Sequence, residues 1–177
     1  MALIDLAIIP VTLIAAFFDL KIRRIPNWLI GVGAFLGIVI NGLAGGSQLF
    51  QSIAGFVVAI VVLLLPFALG WMGAGDVKLF GVIGALLGLR WLPRVFFYSA
   101  LVAGLIAGGS LIGGRSGRVR FKQLWLDVKL TLLSMGQVIP APVHERTHGG
   151  SVPWGVAFAV GTIIAYYFDR TGEWAGF

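Results

Sequence analysis

The chain has 177 residues, 59% of them hydrophobic and 11% charged, with a net charge of +6. A soluble domain of this length needs far more polar surface, so the composition points to a polytopic membrane protein forming a single domain over residues 1–177. The lack of cysteine excludes disulfides, thiolate metal sites and cysteine nucleophiles, and in a membrane protein the positive charge reports topology and contact with anionic lipid rather than nucleic acid.

Apolar runs of roughly 17 to 22 residues can cross a bilayer. About six can be placed, at approximately 2–18, 28–44, 49–70, 77–93, 95–113 and 152–168, which predicts an all-α bundle of about six transmembrane helices. The first run, ALIDLAIIPVTLIAAFF, carries Asp5 in place of a basic leader and has no small-residue cleavage site after it, so it reads as a retained helix. Pro66 should kink the third helix or end it early. Arg90, Pro93 and Arg94 mark the break between the fourth and fifth runs. In the long connection before the last run, FKQLWLDVKLTLLSM (121–135) places Phe121, Leu124, Trp125, Val128, Leu132 and Met135 at spacings of three and four. That periodicity predicts an amphipathic helix between the fifth and sixth spans, lying on cytoplasmic headgroups or packed on the bundle, followed by irregular loop over 137–151.

The connections are unequal in charge. Lys21, Arg23 and Arg24 fall in the first, Lys78 at the third, and Arg115, Arg118, Arg120, Lys122, Lys129 and Arg146 in the fifth, so ten of the thirteen basic residues lie on one side. Arg90, Arg94 and Arg170 remain for the other. The positive-inside rule puts those three connections in the cytoplasm and both termini outside, with an inner (cytoplasmic) membrane as the setting. Asp19, closing the first helix, and Asp76, opening the fourth, then share the cytoplasmic face, while Asp5 and Asp169 fall toward the opposite one.

Two carboxylates held together cannot both ionise cheaply, so one keeps a proton and the other stays charged. One can then act as base on a water while the other polarises a carbonyl, which suffices for peptide hydrolysis without metal, serine or cysteine. The plainer alternative pairs Asp19 with Lys21 or Arg23, and Asp76 with Lys78, as charged helix ends. Gly73 and Gly75 favour the first reading, since they free the backbone for unusual dihedrals and leave room for an extended substrate strand. Gly81, Gly84 and Gly88 form a small-residue stripe for helix packing. Lys78 either anchors its helix end by snorkelling or tunes Asp76. Pro26 and Asn27 set the entry into the second helix, Asn27 as N-cap. His144 and His148, four apart in a Gly/Pro-flanked loop, read as solvated surface, and no metal or other cofactor is expected.

FFDLKIRRIPNW (17–28) together with GAGDVKLF (73–80) resembles the type IV prepilin peptidases, membrane aspartic proteases built on a D-x3–4-R-x-I-P-N-type segment and a G-x-G-D-x-K-L segment. Asp19 is followed by Arg23 or Arg24, then Ile25, Pro26 and Asn27. Gly73, Gly75, Asp76, Lys78 and Leu79 fill the second pattern. The resemblance implies that Asp19 and Asp76 are catalytic and that Gly73, Gly75, Lys78, Arg23, Arg24, Pro26 and Asn27 bind substrate or shape the site. It also implies a pilin-like precursor as substrate, cut after a basic leader at the cytoplasmic face. The chain looks like the short, peptidase-only form without the family's N-terminal methyltransferase region, similar to tight-adherence (Flp) or archaellin-processing types. SVPWGVAFAVG (151–161) is similar to a segment of the Flp type, with Trp154 where tyrosine is usual. A proton-coupled transporter and a non-catalytic pilus or secretion assembly subunit are the competing readings; nothing in the sequence sets the oligomeric state.

Overall fold

The computed structural model describes residues 2–112 and 153–168. The described residues form six α-helices and no strand: α1 (Ala2–Ile22), α2 (Asn27–Ala44), α3 (Gly46–Ala68), α4 (Ala74–Leu87), α5 (Leu92–Ile112) and α6 (Trp154–Phe168), with one 3-10 turn at Leu89–Trp91. Among the described residues, four segments are long and apolar enough to cross a membrane: Leu3–Ile22, Asn27–Ala44, Gly46–Ala68 and Leu89–Gly109. The chain divides into two compact units, Met1–Ala103 with Pro153–Phe177, and Gly104–Val152. Of the second unit only the end of α5 is described; everything below concerns the first. The amphipathic helix expected at 121–135, His144 and His148 lie outside the described residues.

The helices fall close to the apolar runs, with informative differences. α4 is short, with 14 residues, or roughly 21 Å at 1.5 Å per residue against about 30 Å of hydrocarbon. The break after it lies not at Arg90–Arg94 but at Gly88, whose φ of 88° ends the helix and whose N–H caps the Gly84 carbonyl. A left-handed φ suits glycine because a Cβ there meets the following carbonyl. Arg90 sits in the 3-10 turn, Pro93 near the start of α5 where its missing N–H costs nothing, and Arg94 is buried with its guanidinium 5.5 Å from the Trp91 ring. Pro66 falls in the last turn of α3, two residues before its end.

α4 is the axis of the unit. Val77 and the unbroken run Leu79–Leu86 are buried, so the helix is enclosed on every side, and it contacts α1, α2, α3 and α6. Leu6, Phe35 and Leu65 stay exposed on α1, α2 and α3, as a lipid-facing surface requires, while Thr12, Asn41 and Ser52 turn inward. Lipid supplies no hydrophobic drive between helices, so close contact depends on small residues. The α3–α4 crossing is glycine on glycine: a Cβ on Gly55 would strike the Gly84 carbonyl, and one on Gly84 would strike that of Gly55. A Cβ on Gly37 of α2 would lie 2.8 Å from the Ala85 carbonyl. The stripe expected from Gly81, Gly84 and Gly88 is therefore two features, packing at the first two and a helix stop at the third.

Burying the C-terminus of α4 leaves carbonyls without intrahelical partners. Asn41 supplies them: its Nδ2 lies 3.1 Å from the Ala85 and Leu86 oxygens and 2.9 Å from the Gly37 oxygen. Ser52 Oγ donates to the Ala85 oxygen at 2.6 Å. At the other end of α1, the Tyr166 hydroxyl donates to the Asp5 carboxylate, tying α1 to α6. Asn41→Leu should keep the volume but strand buried carbonyls, lowering stability by about 1–3 kcal/mol. Unfolding of the detergent-solubilised protein by graded denaturant would measure it, and an unchanged midpoint would remove the capping role.

Candidate active site

The two acidic motifs meet at one end of the unit. Asp19 lies in the last turn of α1, which runs to Ile22 rather than stopping at residue 18. The next residue, Arg23, has φ 51°, a left-handed conformation that closes the helix while its N–H donates to the Asp19 carbonyl at 3.0 Å. For a residue with a Cβ that conformation costs roughly 1–2 kcal/mol. The chain then passes the exposed Arg24 and the half-buried Ile25 to Pro26, whose extended backbone (φ −63°, ψ 136°) turns it into α2. Asp76 is the third residue of α4, half-buried, and its Oδ2 accepts the Gly73 N–H at 2.9 Å. Segment 23–27 packs against segment 73–78: Ile25 lies beside Gly75, and Lys78 Nζ donates to Asn27 Oδ1 at 3.1 Å.

Three expectations change. Asn27 is not the N-cap of α2; Pro26 holds that position, and the Asn27 side chain is engaged by Lys78 instead. Lys78 therefore reaches across to the α1–α2 connection rather than lying along its own helix end. Gly73 and Gly75 do not supply unusual dihedrals either. Gly73 has φ −85° and ψ 158°, open to any residue, and Gly75 lies inside α4. The left-handed glycine of that connection is Gly70, with φ 73°. At Gly75 a Cβ would come 3.5 Å from the Ile25 Cβ, ordinary contact, so the position is packed against Ile25 and leaves no open space beside Asp76.

The sequence reading missed a third segment. Asp19 is buried to 8% exposure, and its Oδ2 accepts the N–H of Gly155 at 2.8 Å. Gly155 is the second residue of α6, whose first helical bond runs from Ala157 N–H to the Pro153 oxygen, so the Gly155 donor has no partner within the helix. A Cβ at Gly155 would lie 2.8 Å from the Asp19 Cβ and 2.9 Å from Oδ2. Trp154 steadies this end of α6. Its Nε1 donates to the Trp71 oxygen at 3.1 Å, and its ring lies 5.8 Å from Phe158, which stacks on Phe80 of α4 at 5.1 Å. The one signal available in the sequence was the VPWG segment, but nothing local in it points to a residue 136 positions away.

Asp76 precedes the apolar run and lies in none of the four candidate spans. Burial pushes its carboxyl up to about 6; the Gly73 N–H opposes the rise and the nearby charge of Asp19 adds to it. A carboxyl titrating there can both give and take a proton near neutral pH. No group of three or more potential metal ligands occurs among the described residues.

The shift has a consequence for stability. With an unfolded value of 3.8 and a folded value of about 6, Asp76 costs the fold nothing while both states are protonated. Stability is lost as pH rises through that window, by up to about 3 kcal/mol. Asp76→Asn should therefore match the parent near pH 3 and exceed it in denaturation midpoint at pH 7.5; parallel curves across this range would show that the carboxyl titrates normally.

A family model described as the Type IV leader peptidase family matches residues 6–108. The chain is 30% identical over 114 residues to a protein of Bacillus subtilis (strain 168) named prepilin leader peptidase/N-methyltransferase. That alignment covers 60% of this chain and 44% of the relative, so the chain spans less than half of the relative's length. No solved structure matches it. The family match contains Asp19 and Asp76 and stops before α6.

Proposed function

The chain belongs to the type IV leader peptidase family, and from that premise we propose that it is a membrane aspartic endopeptidase that removes the leader peptide of a type IV pilin-like precursor. The observation that carries the proposal is the packing together, within the family-matched residues, of the segments that hold Asp19 and Asp76, 57 residues apart in sequence: Ile25 lies beside Gly75 and Lys78 is bonded to Asn27. In this mechanism one carboxylate takes a proton from a water whose oxygen attacks the scissile carbonyl carbon. The other carboxyl, protonated, donates to the carbonyl oxygen as the tetrahedral intermediate forms. Collapse of that intermediate delivers a proton to the leaving amine nitrogen and restores the pair.

The substrate fits the surroundings. A basic leader suits a site holding two acids. Arg23 and Arg24 stand exposed at the same end, with Lys78 and Asn27 joining the two acidic segments. The lopsided Lys and Arg distribution supports a cytoplasmic active site in the inner membrane, with both termini outside. The precursor's own apolar helix would remain in lipid, its first residues held at the depth of the acids. The methyl transfer in the relative's name is not carried over to this chain.

A proton-coupled transporter would call for an acid deep within a span; Asp19 and Asp76 lie instead at helix ends. An idle assembly subunit gives no reason to bury Asp19 against a backbone donor.

Co-expression with candidate pilin precursors tests the reading. Asp19→Asn and Asp76→Asn should each insert normally and reduce cleavage, followed as a mobility shift, by at least about 1,000-fold. Full processing by either variant would remove the two-carboxylate mechanism. Single cysteines placed at residues 23–27 should react with a membrane-impermeant thiol reagent only after the cytoplasmic face is opened; labelling in intact cells would invert the topology.

A further inference from the structure

Beyond the two acids, the start of α6 carries a feature that the family-matched residues do not include. Asp19 sits at the C-terminal end of α1, where partial negative charge gathers on the last carbonyls and disfavours an anion. It is also almost wholly buried. Beside the charge of Arg23, two contributions from α6 compensate. The N-terminal end of α6 brings partial positive charge, and the unused N–H of Gly155 binds Oδ2 at 2.8 Å. The contact is also steric. With Asp19 Cβ, Cγ and Oδ2 all within 3.0 Å of where a Gly155 Cβ would lie, no side chain fits between α6 and the carboxylate. Gly155 lies at an ordinary helical position, so conformational freedom does not account for glycine there.

We propose that Gly155 is a positioning residue for Asp19: its N–H holds Oδ2, its lack of a side chain lets α6 close onto the carboxylate, and the other oxygen is thereby aimed toward the water and Asp76. Trp154 completes the device. Its indole bond to the Trp71 oxygen ties the start of α6 to the connection leading into Asp76, so one helix end registers both acids. This inference rests on the endopeptidase reading.

The test uses the full chain, purified in detergent, with a purified precursor. Gly155→Ala must displace the Asp19 carboxylate, and a displacement on the order of 1 Å costs about 100-fold in rate. The expected result is a kcat reduced about 100-fold with KM and binding of the uncut precursor unchanged. Gly161→Ala is the comparison. Gly161 is just as crowded, against Ser99 of α5, but lies six residues along the same helix from Gly155. It should lower the yield of folded protein while leaving kcat per folded molecule intact. Loss of kcat at Gly155 alone supports positioning; intact kcat in Gly155→Ala, or equal loss in both variants, overturns it.

If Gly155→Ala does not insert, Trp154→Phe serves. It keeps the ring on Phe158 but loses the indole donor, and should reduce kcat about tenfold at unchanged KM. An unaltered kcat there overturns the proposal. Asp19→Asn and Asp76→Asn run alongside. A parent that cleaves no precursor, or acid variants that still cleave, would strike the endopeptidase reading and this proposal with it; a normal parent with a fully active Gly155→Ala would strike this proposal alone.

Discussion

The bundle depends on how closely other backbones can approach α4. In lipid, two apolar helices gain little merely by hiding from solvent, so cohesion must come from surfaces that fit and from polar groups that find each other. α4 meets both conditions. Gly55 and Gly84 bring α3 onto it backbone to backbone, and Gly37 does the same for α2 against Ala85. The contacts bury the last carbonyls of α4, which Asn41 and Ser52 then satisfy from the two flanking helices. Any side chain at these glycines would push a neighbouring helix outward and strand those carbonyls together. Because the lower end of α4 is fixed in this way, the position of its first turn, and of Asp76, is fixed as well.

Each acid accepts a hydrogen bond from a backbone N–H, and Asp19 also lies within reach of the positive charge of Arg23. Asp76 takes the N–H of Gly73 and Asp19 that of Gly155. Backbone donors orient an oxygen with partial charge only. Lys78 is engaged with Asn27, joining the segment after Asp19 to the segment of Asp76. The left-handed Arg23 bends the chain sharply enough for that junction to form within a few residues of the helix end.

How much of this was readable depends on the range over which each feature is determined. The helices follow from apolar run length, and their ends shifted by only a few residues. The break after α4 went to Gly88, not to Arg90–Arg94, because a glycine in a left-handed conformation ends a helix whereas a charge merely marks water nearby. Asn27 looks like a cap because its type suits one, but the longer-range bond to Lys78 claims its side chain. Asn41 and Ser52 were illegible for the same reason: inside apolar runs they look incidental until α4 is packed against them. The pairing of Asp19 with Asp76 could be found because topology places both at one face and the motifs are recognisable. The partner of Asp19 on α6 could not, since no local pattern announces a backbone N–H.

The dependence on α6 also bears on what a minimal site contains. The first four helices carry both acids, the cation that joins their segments and the glycines that pack α4. They do not carry the donor that makes a buried carboxylate tolerable at the negative end of α1. Trp154 links this donor to the rest through its indole bond to Trp71 and through Phe158 and Phe80, so the start of α6 is held by α4 and by the connection into it as well as by Asp19. A replacement that preserved both acidic motifs but altered the first turn of α6 would keep every recognisable residue and still misplace the carboxylate. The site is set by three helix ends, of which the acidic motifs mark two.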